Sequence, residues 1–185
     1  PWAWWLALFE GRFDDLDAIV AQWAPENFEA GSGLTLPRSM FTANNAWLRG
    51  DRDSARSAAA EARRDFERQL AGRKDADRFA YWRAYLAALD GDAPSARRWL
   101  DAEERYARSI DDAVLLKGAS DSRMQAMVLL GERAAALDLL ERALADPVGG
   151  GDFAYAGQVA IDPFWKDLRD DSRFKAIIAK HRPKD

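Results

Sequence analysis

Residues able to do chemistry are few in this chain, and their spacing does not favour it. The single histidine, His181, lies in the charged tail Lys180-His181-Arg182-Pro183-Lys184, whereas a general base needs a partner and a pocket. It reads as a solvated tail residue. Asp51-Arg52-Asp53 begins like a calcium loop, but the next ligand position holds Ala55 and the required glycine is missing. That cluster and Asp14-Asp15-Leu16-Asp17 are explained by helix starts, where carboxylates cap free N–H groups and meet the positive end of the dipole. Asp101, Glu103 and Glu104 share a stretch with Arg97, Arg98, Arg105 and Arg108, which predicts a solvated ion-pair face. Gly149-Gly150-Gly151 with Ala154 fits a loose G-x-G-x-x-A, yet no strand precedes it and no Lys-Ser or Lys-Thr follows. It reads as a loop. With no cysteine, disulfides, thiolate metal sites and a cysteine nucleophile are excluded. The sequence predicts no cofactor, no metal centre and no catalysis.

The balance of charge narrows the partners. Net charge is −4, with acidic and basic residues mixed throughout, so there is no basic face for nucleic acid. The opening apolar run, Trp2 to Phe9, is too short to span a bilayer and lacks the basic start of a signal peptide. No membrane insertion is expected from this segment. The absence of cysteine does not choose between cytoplasm and periplasm.

Aromatic residues are the other candidates for recognition. Most of Trp2, Trp4, Trp5, Trp23, Trp47, Trp82 and Trp99 follow apolar faces and read as core. The first three are the exception, since consecutive helical residues diverge by about 100° and cannot all point inward. Some must face an upstream helix, a partner or solvent. A repeat preceding Pro1 is the expectation, so the chain reads as a fragment or a mature product; self-association through this tryptophan cluster is a further possibility.

The elements that position these side chains are written in the glycines. Gly11, Gly50, Gly91 and Gly131 lie 39, 41 and 40 residues apart, each with an apolar residue two positions earlier and a charged residue next. Such a glycine suits the left-handed position that ends one helix, and Asp51, Asp92 and Glu132 suit the start of the next. Helical periodicity follows each glycine, as in Ala55, Ala58, Ala59, Ala62 and Phe66, or Ala136, Leu139, Leu140 and Ala143. The stretches before the glycines are helical too: Ser39 to Leu48, Asp77 to Leu89 and Asp121 to Leu130, with Trp2 to Phe9 a shortened first member. Turn chemistry at Ala30-Gly31-Ser32-Gly33, at Ala71-Gly72-Arg73-Lys74 and at 147–151 falls between pairs, and β-structure has almost no support. The reading is an all-α chain of about four antiparallel helix pairs, at about 1–30, 37–72, 75–110 and 111–146, with a C-terminal capping segment at 153–181.

On these residues the sequence resembles the tetratricopeptide repeat superfamily. The small residue before the turn glycine is Ala43 and Ala84 in two repeats, with Trp4 and Met124 in the others. The small residue after it is Ala55, Ala96 and Ala136, with Leu16 in the first repeat. The period of about 40 exceeds the family's roughly 34. The segment Ile161-Asp162-Pro163-Phe164-Trp165-Lys166-Asp167-Leu168-Arg169-Asp170-Asp171-Ser172-Arg173-Phe174 looks like a closing motif that follows repeat arrays in bacterial regulatory proteins, with Ser172 in place of a second proline. Such proteins include adenylate cyclases, serine/threonine kinases and winged-helix regulators. Phe164, Trp165, Leu168, Phe174, Ile177 and Ile178 are expected to close the end of the stack.

The resemblance implies an α–α superhelix that binds a protein or peptide through its concave face. The family's ligand-facing positions fall on Trp5, Leu8 and Phe9; on Met40, Asn44 and Trp47; on Arg78, Tyr81 and Tyr85; and on Asp121, Gln125 and Val128. Asn44 holds the place of a carboxylate-clamp asparagine, but Met40 stands where the clamp lysine would be, so a chaperone-tail clamp is not expected. The alternative is a small-molecule sensing domain that controls an attached output domain, recognisable by a closed aromatic pocket in place of an open groove.

Overall fold

A computed structural model describes residues 2–23, 29–31, 34–146 and 155–182. Ten helices carry the described fold: α1 Trp2–Phe9, α2 Leu16–Ala21, α3 Arg38–Arg49, α4 Arg52–Leu70, α5 Ala80–Leu89, α6 Ala93–Ser109, α7 Ala113–Leu129, α8 Arg133–Ala145, α9 Ala156–Ile161 and α10 Ser172–His181. Short 3₁₀ turns at Phe13–Asp15, Ala76–Phe79 and Pro163–Leu168 precede α2, α5 and α10. Helices α3 and α4, α5 and α6, and α7 and α8 pack as consecutive pairs, and α4 on α5 and α6 on α7 join the pairs.

The four repeat glycines end their helices as the spacing implied. Their φ values are +72, +85, +79 and +76° for Gly11, Gly50, Gly91 and Gly131, a region that a Cβ disfavours. Each turn is closed by the same pair of backbone bonds; at the second, Gly50 N–H donates to Trp47 O at 3.0 Å and Asp51 N–H to Ala46 O at 3.0 Å. Asp51 and Asp92 then cap the next helix through the N–H groups of Ser54 and Ser95, at 3.0 and 3.1 Å, whereas Glu132 makes no such side-chain bond. The small residues after the glycines, Ala55, Ala96 and Ala136, are fully buried where helices approach closely.

Three features depart from the sequence expectation. A fifth turn of the same kind joins α6 to α7 with Asp111 at φ 52°, and Asp112 caps α7 through Val114 N–H and Leu115 N–H. Helix α7 therefore begins at Ala113, eight residues before the expected start at Asp121, and the connection between these two pairs is as tight as those within pairs. A second departure is a short antiparallel ladder, β1 Glu29–Gly31 with β2 Leu34–Thr35. It docks on α4, because Gln69 accepts from Thr35 N–H at 3.0 Å and donates to Thr35 O at 2.9 Å, while Leu34 and Leu36 are buried beside Phe66 and Leu70. Third, α2 is only six residues long after its 3₁₀ turn, shorter than the second helix of each later pair. The expected loop at 147–151 lies outside the described residues.

The C-terminal segment does two jobs. Helix α10 packs on α8 and α9, with Arg173 paired to Asp138 and Lys180 to Glu141, so it covers the end of the stack. The 3₁₀ turn before it reaches back to the α3–α4 corner. Lys166 Nζ donates to Leu48 O, Asp167 pairs with Arg52 at 2.9 Å, and Phe164 stacks on Trp47 with ring centroids 5.5 Å apart.

Candidate functional site

Where α1, α3, α5 and the returning C-terminal segment meet, they line a half-open cavity of about 360 Å³. Its walls are Trp4, Trp5, Leu8 and Phe9 from α1; Met40, Phe41, Asn44 and Leu48 from α3; and Tyr81, Trp82 and Tyr85 from α5. Gln125 of α7, Gln158 of α9, and Asp162 and Phe164 of the returning segment complete it. Helical spacing explains the contribution of each element. Trp5, Leu8 and Phe9 share one face of α1, as do Met40, Phe41, Asn44 and Leu48 on α3 and Tyr81, Trp82 and Tyr85 on α5.

The aromatic lining is organised ring against ring. Trp4 and Trp5 meet edge to face at 5.1 Å, and Trp5 stacks on Phe9 at 6.2 Å. On α5, Tyr81 lies 4.5 Å from Trp82 and 6.0 Å from Tyr85. Trp4 is buried while Trp5 is half exposed, which resolves how neighbouring tryptophans on one helix divide between core and surface; the side chain of Trp2 lies outside the described residues.

Polar groups fix the two tyrosines. Tyr85 Oη donates to Asn44 Oδ1 at 2.9 Å, and Tyr81 Oη to Gln125 Oε1 at 3.1 Å. Burial, with the charge of Asp162 as a second cause, pushes the Tyr85 phenol well above its ordinary value. The phenol therefore stays protonated and remains a donor. Asp162 Oδ1 accepts from Phe164 N–H at 2.9 Å, which caps the returning 3₁₀ turn at the cavity wall. Among the described residues that line the cavity there is one carboxylate, Asp162, and no lysine, arginine or histidine.

Eight of the residues expected to face a ligand line this cavity: Trp5, Leu8, Phe9, Met40, Asn44, Tyr81, Tyr85 and Gln125. Trp47 does not. It is buried, with Phe164 stacked on it and the Arg52 guanidinium 4.5 Å from its ring. Arg78 is exposed on the 3₁₀ turn before α5, and Asp121 is buried against Lys117 Nζ at 3.1 Å. Val128 is buried in the core. Counting back from a turn glycine fixes position along a helix. It does not register which side of the helix a neighbouring element will cover. Sequence reasoning missed Trp4, Phe41, Leu48, Trp82, Gln158, Asp162 and Phe164 as ligand-facing, although the last two lie in the segment 161–174 expected to begin a cap.

A second polar site contradicts the solvated face expected around Glu103. Glu103 is largely buried, and burial raises its carboxyl to about 7 despite the hydrogen bond from Ser122 and the nearby charge of Arg123. Asp101 and Glu104 do lie outward, paired with Arg123 at 2.9 and 3.4 Å. Among the described residues, no group of three His, Asp or Glu side chains converges to hold a metal ion, and no helix is long and apolar enough to cross a membrane. Comparison with protein-family models, curated proteins and solved structures gives no match.

Proposed function

We propose that the chain is a tetratricopeptide-like helical array acting as a non-catalytic binding module, which holds a protein or peptide partner by inserting one of its groups into the aromatic cavity. The observation that carries this reading is the convergence of α1, α3 and α5 on one cavity, through residues at the ligand-facing positions of the resembled family. A rigid aromatic wall with a few fixed polar groups is the composition of a recognition surface. In the bacterial regulatory setting that the closing motif implies, occupancy would recruit a partner or report on it.

A second reading is favoured by one specific feature. Phe164 and Asp162 bring the C-terminal segment to the cavity wall, and a volume of about 360 Å³ suits a small molecule. Under that reading the module senses a small ligand and controls an attached output domain.

The test is a selection of peptides from a random display library on the folded chain, followed by titration against Trp5→Ala and Tyr81→Ala. Selected peptides are expected to lose most of their affinity for both variants while far-UV circular dichroism is unchanged. Affinity that ignores both substitutions would remove this cavity from consideration. Failure to select any peptide, with small ligands binding instead, would favour the sensor reading.

A further inference from the structure

One wall of the cavity belongs to a segment that also grips the α3–α4 corner. We infer that the two contacts are linked: an occupant of the cavity fastens the returning turn Pro163–Leu168 on that corner, and with it the start of α10, while release of the turn dismantles the site. This linkage rests on the reading of the cavity as the ligand site.

The same residues serve both contacts. Phe164 lines the cavity and also stacks on Trp47, with ring centroids 5.5 Å apart. Leu48 lines the cavity, while its carbonyl accepts from Lys166 Nζ. Asp162 lines it too, and caps the turn by accepting from Phe164 N–H at 2.9 Å. An occupant that touches Asp162 and Phe164 keeps those contacts only while the turn is docked. A difference in contact between two arrangements is what allows a ligand to bias one of them.

The turn is held differently on its two sides. Outward, Asp167 pairs with Arg52 at 2.9 Å, and both side chains are about two-fifths exposed, at 41 and 42%. A pair so open to water contributes little. Inward, Trp165 and Leu168 are buried. Release must unpack them, so it is a rare opening of the native state and not a standing population. An occupant acts by making that opening rarer, by a factor of one plus the ratio of free ligand to Kd.

Ring contacts carry the effect onward to α10. Phe164 meets Trp165 edge to face at 5.8 Å, and Trp165 lies 6.0 Å from Phe174. Trp165 is fully buried, so moving the turn off the corner also unpacks Phe174 in the first turn of α10. Only residues 169–171 separate the turn from that helix, and Asp171 caps it through Arg173 N–H and Phe174 N–H at 2.8 and 3.3 Å. The turn and the start of α10 therefore open together.

The experiment is amide hydrogen exchange of the folded chain, read residue by residue by NMR in low concentrations of urea. The probe is N-phenyl-1-naphthylamine, a neutral apolar fluorophore whose own titration gives its Kd, and Trp5→Ala is expected to abolish its binding. Trp165 N–H and the amides of α10 are expected to exchange through an opening that exposes less surface than global unfolding, seen as a smaller urea slope than that of the α6 amides. Probe at ten times its Kd should slow this exchange about tenfold. Lys166→Met removes a fastening outside the cavity. It should speed the same exchange about fivefold and leave the probe's Kd unchanged, since the docked arrangement still prevails. Exchange of the turn in step with α6 at every urea concentration overturns the linkage, as does exchange that Lys166→Met leaves unmoved. Probe binding that is lost in Trp5→Ala, with no slowing of the turn, keeps the cavity as the ligand site and overturns the linkage alone. Binding that ignores Trp5→Ala, or no saturable binding, removes the site and the linkage together.

Discussion

The phenol of Tyr85 donates to Oδ1 of Asn44 at 2.9 Å, tying α5 to α3 across 41 residues of chain. Tyr81 makes the equivalent tie from α5 to Gln125 of α7 at 3.1 Å. One helix thus holds its neighbours on both sides through hydroxyls that also shape the cavity. Tyr85→Phe should keep the ring and lose the bond, leaving the Asn44 oxygen short of a donor. A loss of about 1 kcal/mol is expected. Urea titration should show a lower midpoint with an unchanged m-value.

Asn45 holds the first helix in place. It is fully buried, accepts from Trp4 Nε1 at 3.1 Å and donates to Asp17 Oδ1 at 2.8 Å. Asn45→Ala strands the indole N–H in the core, at a cost of about 2 to 3 kcal/mol. The loss should be local as well as global. Amide hydrogen exchange in α1 is expected to rise before exchange in α5 or α6 does.

Two turn positions give opposite expectations. Gly50 sits at φ +85° with open space where a Cβ would point, so Gly50→Ala isolates the backbone cost. About 1 kcal/mol of destabilisation is expected. Asp111 occupies the corresponding place between α6 and α7 at φ 52°. Asp111→Gly relieves the left-handed strain and should stabilise by about 0.5 kcal/mol, after the extra entropy of glycine in the unfolded chain is subtracted. Thermal melts of the two variants should therefore move in opposite directions.

Glu103 makes stability depend on pH. Its folded carboxyl titrates near 7, raised by burial, against a reference of 4.5. When protonated it can donate to Ser122 Oγ, which in turn donates to the Gly118 carbonyl, 2.9 Å away. The folded state therefore binds the extra proton between these values. Its contribution to stability is fully present below about pH 4.5 and is lost as pH rises toward 7. Glu103→Gln should flatten that dependence and raise stability above pH 7 by up to about 3 kcal/mol. Unfolding free energies measured across this range for both proteins provide the check; a parallel pair of curves would remove Glu103 as the cause.

Much of the architecture was legible because its determinants are local. A glycine that ends a helix needs only its own φ and the two bonds of its turn, and all four repeat glycines behave alike. The pair boundary at 110–111 was legible, but without a glycine the turn at Asp111 was not recognised as a tight one, and this hid the start of α7 at Ala113. The ladder at Leu34–Thr35 was too short to leave an alternating pattern. Trp5, Tyr81 and Tyr85 were reached by carrying the resembled family's ligand-facing positions onto these helices. Asp162 and Phe164 were seen as part of a cap, but no periodicity reports that residues beyond 160 fold back onto Trp47 and Leu48. That information belongs to topology. Likewise, Glu103 sits among charges in sequence, and only packing against α7 shows which of them is shut away from water.

The return of Lys166 to Leu48 and of Asp167 to Arg52 also governs how the chain comes apart. Helix pairs that touch only their neighbours can fray from either end, each losing order almost independently. Here a strap fastens the 3₁₀ turn at Pro163–Leu168 to the second pair, 115 residues upstream for Arg52–Asp167. The closing loop must be formed against chain entropy during folding, which slows it, and the strap must be released before the end can peel. Melting should be cooperative from the second pair to the C-terminal helix, because the strap joins them.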